Sequence, residues 1–203
     1  MAKIRLTKNE LKKQKESLAR FTRYLPTLEL KKAQLITEIR RIRREIDDIR
    51  REIEEAEKAI REWVDVFAED VNLDAMFSVD EIVTDIGNIA GIDIELFKEV
   101  KFIDNEYDLF TTPHWVDKGL EAVKEQIERR AIITILERQI RALEDELKIT
   151  IQRINLFEKV KIPECKESIR MIRIYLGDLQ TAEVVRGKIS KQKIEKKKEL
   201  AAA

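Results

Sequence analysis

The chain has 203 residues, of which 39% are charged and 6% aromatic, and its 40 basic and 40 acidic residues give a formal net charge of zero. This balance argues against a nucleic-acid-binding domain, which usually carries a basic excess. The single cysteine excludes an internal disulfide, and the lack of an apolar run approaching 18 residues predicts a cytoplasmic protein without direct membrane insertion.

Residues 1–68 carry a heptad repeat in which apolar side chains recur every seven residues on two grids, three residues apart. This pattern predicts one long coiled-coil helix, and Lys8–Ala68 would span about 90 Å at 1.5 Å per residue. Thr7, followed three residues later by Glu10, predicts a capping box at the start of the helix. Pro26 predicts a kink that does not end the heptads.

The middle segment, residues 69–115, lacks heptads and is acidic over most of its length. Residues 80–90 predict a short helix, because three isoleucines would share one face of it: Ile82, Ile86 and Ile89. Residues 92–111 predict a β-hairpin, with β-favouring side chains on both sides of a turn at residues 104–106.

The heptads resume in residues 116–203, which predict a second coiled-coil helix ending in a basic tail. Between Ile151 and Cys165 the spacing lengthens to steps of 11, which indicates a four-residue stutter that locally unwinds the supercoil. Pro163 lies in the stutter.

Two long helices joined by about 50 residues are expected to pair antiparallel, since a connection of that length is enough to reverse the chain. The sequence thus predicts a mainly α fold: a long antiparallel two-helix coiled coil, with a small middle segment containing a short helix and a β-hairpin. The proposed register sets Arg43 near Glu144 and Arg50 near Glu137. The predicted seam consists of Ile39, Ile42, Ile46, Ile49, Ile53, Leu136, Ile140, Leu143 and Leu147.

No pattern in the sequence predicts catalytic residues, a cofactor or a metal. The stretch 186–190 resembles a phosphate loop only briefly, because Ala182 replaces the first glycine and Ile189 stands where Ser or Thr is needed. His114 is the single histidine and is expected in a turn, and Cys165 is expected as a small buried apolar residue.

Several blocks of the chain resemble the D subunit of V/A-type rotary ATPases in its bacterial or archaeal form. They are residues 5–11 and 28–35 near the start, and residues 151–158, 162–163, 169–173 and 186–189 near the end. The Arg-Ile-Asn-Leu-Phe-Glu run followed by Ile-Pro is the most specific of them.

The resemblance implies a non-enzymatic central rotor shaft that transmits torque, peripheral to the membrane through its complex. It implies partners in the catalytic and non-catalytic nucleotide-binding subunits of a hexamer, the small F subunit and the C (or d) subunit on the membrane ring. The candidate tip that would face the hexamer combines the basic residues of both chain ends: Arg5, Lys8, Lys12, Arg186, Lys188 and Lys191. Two alternatives stay open: a structural coiled-coil tether or adaptor, and a coiled-coil arm that binds a structured nucleic acid.

Overall fold

The computed structural model describes residues 5–61, 76–105, 112–113 and 115–202. The elements run in the order α1 (Lys8–Arg61), β1 (Phe77–Ile89), β2 (Ile92–Asp104), α2 (Val116–Asn155), a π-helix (Leu156–Lys161) and α3 (Ile162–Ala202). The predicted mainly α fold with a hairpin between long helices is confirmed. The predicted helical residues 62–68 and the hairpin residues 106–111 lie outside the described part of the chain.

The helix α1 begins where the sequence predicts a cap. The Thr7 hydroxyl oxygen accepts a hydrogen bond from the Glu10 backbone N–H at 3.2 Å, which is one half of a capping box. The Glu10 carboxylate does not return to the cap and accepts instead from the Gln14 side-chain amide at 2.8 Å. The helix continues through Pro26, as predicted.

The chain divides into two compact units, to both of which α1 contributes. The middle unit comprises residues 31–150, and the terminal unit joins α1 up to Leu30 to the chain from Ile151 onward. In the middle unit the apolar grids of α1 and α2 form one buried cluster, completed by a side chain from β2. Its members are Leu35, Ile39, Ile42, Ile46, Ile94, Leu136 and Leu143.

Two ion pairs between α1 and α2 show the direction of the helices. Arg43 lies 2.6 Å from Glu144, and Arg50 lies 3.2 Å from Glu137. Residue numbers rise along α1 as they fall along α2, so this stretch is antiparallel. Both ion pairs predicted from the heptad register are thereby confirmed.

The hairpin is present, but the sequence placed it wrongly. The predicted short helix over 80–90 is strand β1, and the turn lies at Ala90–Gly91 rather than at residues 104–106. Ile82, Ile86 and Ile89 happen to fit a helical period, whereas the strand is selected by its many β-branched side chains and by pairing with β2. Asn105 closes the open end of the hairpin, with its N–H bonded to the Met76 carbonyl at 2.9 Å.

The tight turn of the hairpin uses positive backbone angles at both central residues, with φ of 54° at Ala90 and 81° at Gly91. This is the pattern of a two-residue turn that matches the twist of the flanking strands. Asn88 supports the turn, because its side-chain oxygen accepts from the Gly91 N–H at 3.0 Å and its amide donates to Asp93 at 2.7 Å.

In the terminal unit, the stutter coincides with the π-helix Leu156–Lys161. The backbone N–H of Ile162 bonds to the Phe157 carbonyl, five residues back, and Pro163 follows directly. A proline inside a regular α-helix clashes with the carbonyl four residues earlier, and a π turn relaxes that constraint. On the α1 side, Phe21 packs against Phe157 with ring centroids 4.9 Å apart.

We expect Leu35→Ala to lower the free energy of unfolding by about 2–5 kcal/mol, because Leu35 is fully buried and truncation leaves a cavity. Leu30→Ala on the same helix is the matched control. Leu30 is 58% exposed, and its truncation should change stability by less than about 0.5 kcal/mol. Urea unfolding with an unchanged m-value measures both. Equal losses for the two variants would contradict the buried seam.

Candidate partner-binding surfaces

The predicted seam residues differ in how deeply they are buried in the middle unit. Five of them are buried in the core cluster: Ile39, Ile42, Ile46, Leu136 and Leu143. Ile49, Ile140 and Leu147 are partly buried and pack against that cluster, and Ile53 is half-buried. The seam therefore has a structural role, since its isoleucine and leucine side chains carry no reactive group.

A third ion pair between α1 and α2 is less exposed than the two that were predicted. The Lys31 ammonium lies 2.7 Å from the Glu146 carboxylate, and their side chains are 29% and 24% exposed. Solvent screens this pair less than the more exposed Arg43–Glu144 and Arg50–Glu137 pairs, and all three resist sliding of one helix along the other.

Helix α2 is buried on a second face that the heptads do not reveal. Ile135 is 2% exposed and Gln139 is 5% exposed, although neither lies on the predicted seam. The Gln139 side-chain amide donates to the Glu95 backbone carbonyl of β2, and Arg138 lies 3.3 Å from the Glu95 carboxylate. The recurrence of Ala131, Ile135 and Gln139 every four residues is the signal in the sequence for this face.

The aromatic end of the hairpin packs on the start of α2. Phe77, Val116 and Leu120 form a second buried cluster, against which Phe102 packs. The Lys124 ammonium lies 5.7 Å from the Phe102 ring centroid and forms an ion pair with Asp104. A cation over an aromatic ring and a carboxylate together anchor the hairpin here.

The six candidate tip residues, Arg5, Lys8, Lys12, Arg186, Lys188 and Lys191, are all exposed side chains of the terminal unit. Lys12 lies 4.0 Å from Glu16, and no other tip cation has an ion pair with a described residue. The two halves of the set make no described contact with each other. Four apolar side chains of α3 in the same region are about half exposed: Val184, Val185, Ile189 and Ile194.

The other candidate positions have plain structural roles where they are described. The stretch 186–190 is part of α3, so it has no loop that could wrap a phosphate. Cys165 is buried, and His114 lies outside the described residues.

In the part of the chain that the structure describes, no three His, Cys, Asp or Glu side chains lie close enough together to hold a metal ion. None of the described helices is both long enough and apolar enough to cross a bilayer.

Comparison with known proteins finds one family along nearly the whole chain. A family model described as the D subunit of ATP synthase matches residues 10–192. The chain is 47% identical over 197 residues to the V-type ATP synthase D subunit of Borreliella burgdorferi, covering 97% of this chain and 98% of that one. It is 34% identical over 201 residues to the protein of the same name from Chlamydia muridarum, covering 98% and 99%. The corresponding protein of Chlamydia trachomatis serovar L2 is 35% identical over 201 residues, again covering 98% and 99%.

Cys165 should react slowly with iodoacetamide at pH 8 in the folded chain and faster in the urea-unfolded chain. Burial, and next the Glu164 carboxylate, raise the pKa of its thiol, so less of the reactive thiolate is present at a given pH. Its alkylation in the folded protein should therefore rise at a higher pH than in the unfolded protein. Mass spectrometry follows this single cysteine directly, and identical pH profiles for the two states would contradict its burial.

Proposed function

Because the chain belongs to the family of ATP synthase D subunits, we propose that it is the central-stalk rotor of a V-type ATPase or ATP synthase. In this role it transmits torque between a catalytic hexamer and the membrane ring that translocates ions. It performs no chemistry itself, and it stands in the cytoplasm, peripheral to the membrane through the complex.

The observation that carries the proposal is the locked register of α1 and α2. Leu35, Ile42 and Leu143 are fully buried in a shared core, so a slide of one helix would pull close-packed side chains out of their positions. The flanking pairs Lys31–Glu146 and Arg43–Glu144 would separate in the same movement. A helix pair that cannot slide passes on a twisting force instead of dissipating it.

The tip suits a surface that turns against its surroundings. Its cations are exposed and nearly all lack ion pairs with described residues, so they attract acidic or dipolar groups at short range. Each such contact is weak in water, and weak contacts allow the shaft to leave one member of a ring and meet the next. We propose that the tip faces the catalytic and non-catalytic nucleotide-binding subunits, and that the F subunit and the C (or d) subunit bind towards the middle segment.

Removing residues 186–203 should weaken binding of the shaft to the nucleotide-binding hexamer and uncouple ATP hydrolysis from ion pumping. The deletion takes away half of the tip cations together with exposed apolar side chains of α3 such as Ile189 and Ile194. The measurement is ATPase activity, shaft retention and ion transport in a reconstituted complex.

The matched control for the truncation is a single charge removal such as Lys188→Gln, which should change little, because each contact is weak. Unchanged binding and full coupling with the truncated shaft would show that residues 186–203 are not the bearing contact. A tether or adaptor predicts a different result, namely that a rigid cross-link between the shaft and the hexamer leaves coupled pumping intact.

A further inference from the structure

An open groove of about 630 Å³ lies in the terminal unit, along one side of the paired helices α1 and α3. Its floor contains two apolar side chains, the half-buried Leu18 and Ile169, which is 7% exposed. Small side chains keep the floor accessible on the α1 side, where Ala19 and Thr22 line the groove.

The walls of this groove are cationic and carry no carboxylate. Lys15 and Arg23 of α1 face Lys166 and Arg173 of α3 across the apolar floor, and all four are exposed. None of the four has an ion pair with any residue that the structure describes.

The acidic residues in the same helical turns are already paired with other cations. Glu16 lies 4.0 Å from Lys12, Glu164 lies 3.2 Å from Lys161, and Glu167 lies 2.6 Å from Arg170. Glu167 and Arg170 meet through two hydrogen bonds, which lower the pKa of the carboxyl and raise that of the guanidinium. No described acidic residue therefore neutralises the four cations of the groove, and their charge is available to a binding partner.

The spacing of the cations selects the shape of the partner. Lys15 and Arg23 are eight residues apart, about 12 Å along the helix, and Lys166 and Arg173 are seven apart, about 10.5 Å. On a partner helix, two carboxylates at i−4 and i+4 around a central apolar residue are also about 12 Å apart. We infer that this groove docks an acidic amphipathic helix of a partner protein, with an apolar side chain between Leu18 and Ile169 and carboxylates against the four cations.

The apolar floor favours a helix over a phosphate-bearing ligand. A phosphate would gain from the cations but would face Leu18 and Ile169, which offer it no hydrogen-bond donor. Single-stranded nucleic acid is held by aromatic stacking together with charge, and no aromatic side chain lines the groove. A helix with an apolar residue between acidic turns can place the apolar side chain on the floor of the groove and the carboxylates against its cationic walls.

The inference adds a second surface to the tip and concerns the isolated chain, so it can fail while the proposed rotor role stands. The probe is a synthetic alanine-based helical peptide of about 18 residues, long enough to keep some helix in water. It carries one central leucine with glutamates at i−4, i−3, i+3 and i+4. A second peptide has glutamine in place of glutamate, and a third has its glutamates on the face opposite the leucine.

Fluorescence anisotropy at low salt should show binding of the first peptide to the full chain and much weaker binding of the other two. Lys15→Glu/Arg173→Glu should reduce affinity about tenfold or more, because attraction becomes repulsion at both ends of the groove. Lys13→Glu/Arg20→Glu is the charge-matched control, since both are exposed cations of α1 outside the groove. Far-UV circular dichroism checks helix content, and Lys15→Gln/Arg173→Gln should give a smaller loss in the same direction.

Carbodiimide coupling then locates the peptide, because it joins an ammonium directly to a carboxylate in contact with it. Mass spectrometry should find the peptide on Lys15 and Lys166 and not on Lys13. Three results would overturn the inference: no binding, equal loss in the control variant, or equal binding of the glutamine peptide. Tighter binding of a single-stranded oligonucleotide, with the same dependence on Lys15 and Arg173, would assign the groove to nucleic acid instead.

Discussion

Burial of isoleucine and leucine between α1 and α2 is the constraint on which the middle unit depends. Leu35, Ile42 and Leu143 have no exposed surface, and such close packing fixes which residues lie opposite one another. Once that register is set, the α2 carboxylates within reach of Arg43 and Arg50 are those at their own height, Glu144 and Glu137. The ion pairs are a consequence of the seam, and being exposed they add little stability of their own.

The hairpin depends on the same core. A two-stranded sheet is marginal in water by itself, and this one gains support by inserting Ile94 into the helical cluster. The Gln139 side-chain amide donates a hydrogen bond to the Glu95 backbone carbonyl of β2. It thereby satisfies an acceptor that an edge strand would otherwise leave unpaired. Helix α2 is buried against α1 on one face and contacts β2 on another. A change in the hairpin is therefore expected to alter the packing of α1 against α2.

The heptads were enough to predict the long helices and two of their ion pairs, because both follow from one period. The hairpin could not be placed in the same way. Its strands contain irregularities between Val79 and Glu81 and between Val83 and Thr84, which break the alternation that marks a strand. The turn has Ala90 at a positive φ, where the sequence offers no Asn or Asp as a signal, while residues 104–106 resemble a better turn. The groove gave no local signal at all, since its walls come from residues about 150 positions apart and its charge depends on which acids pair elsewhere.

The position of the cationic groove on one side of the helix pair matters for the proposed role. Torque requires that a ring of alike subunits meets a different surface at each angle, since a shaft with the same surface on every side would bias no member of the ring over its neighbours. The cationic groove lies on one side of the terminal unit, where Lys15, Arg23, Lys166 and Arg173 have no ion pairs with described residues. For the proposed rotor, a surrounding protein with an acidic helix would contact this groove at one orientation, and exposure to water would keep that contact weak enough to be broken in each turn. In the proposed rotor, the buried seam would transmit force, and the groove on one side of the terminal unit would give a surrounding subunit a preferred orientation for contact.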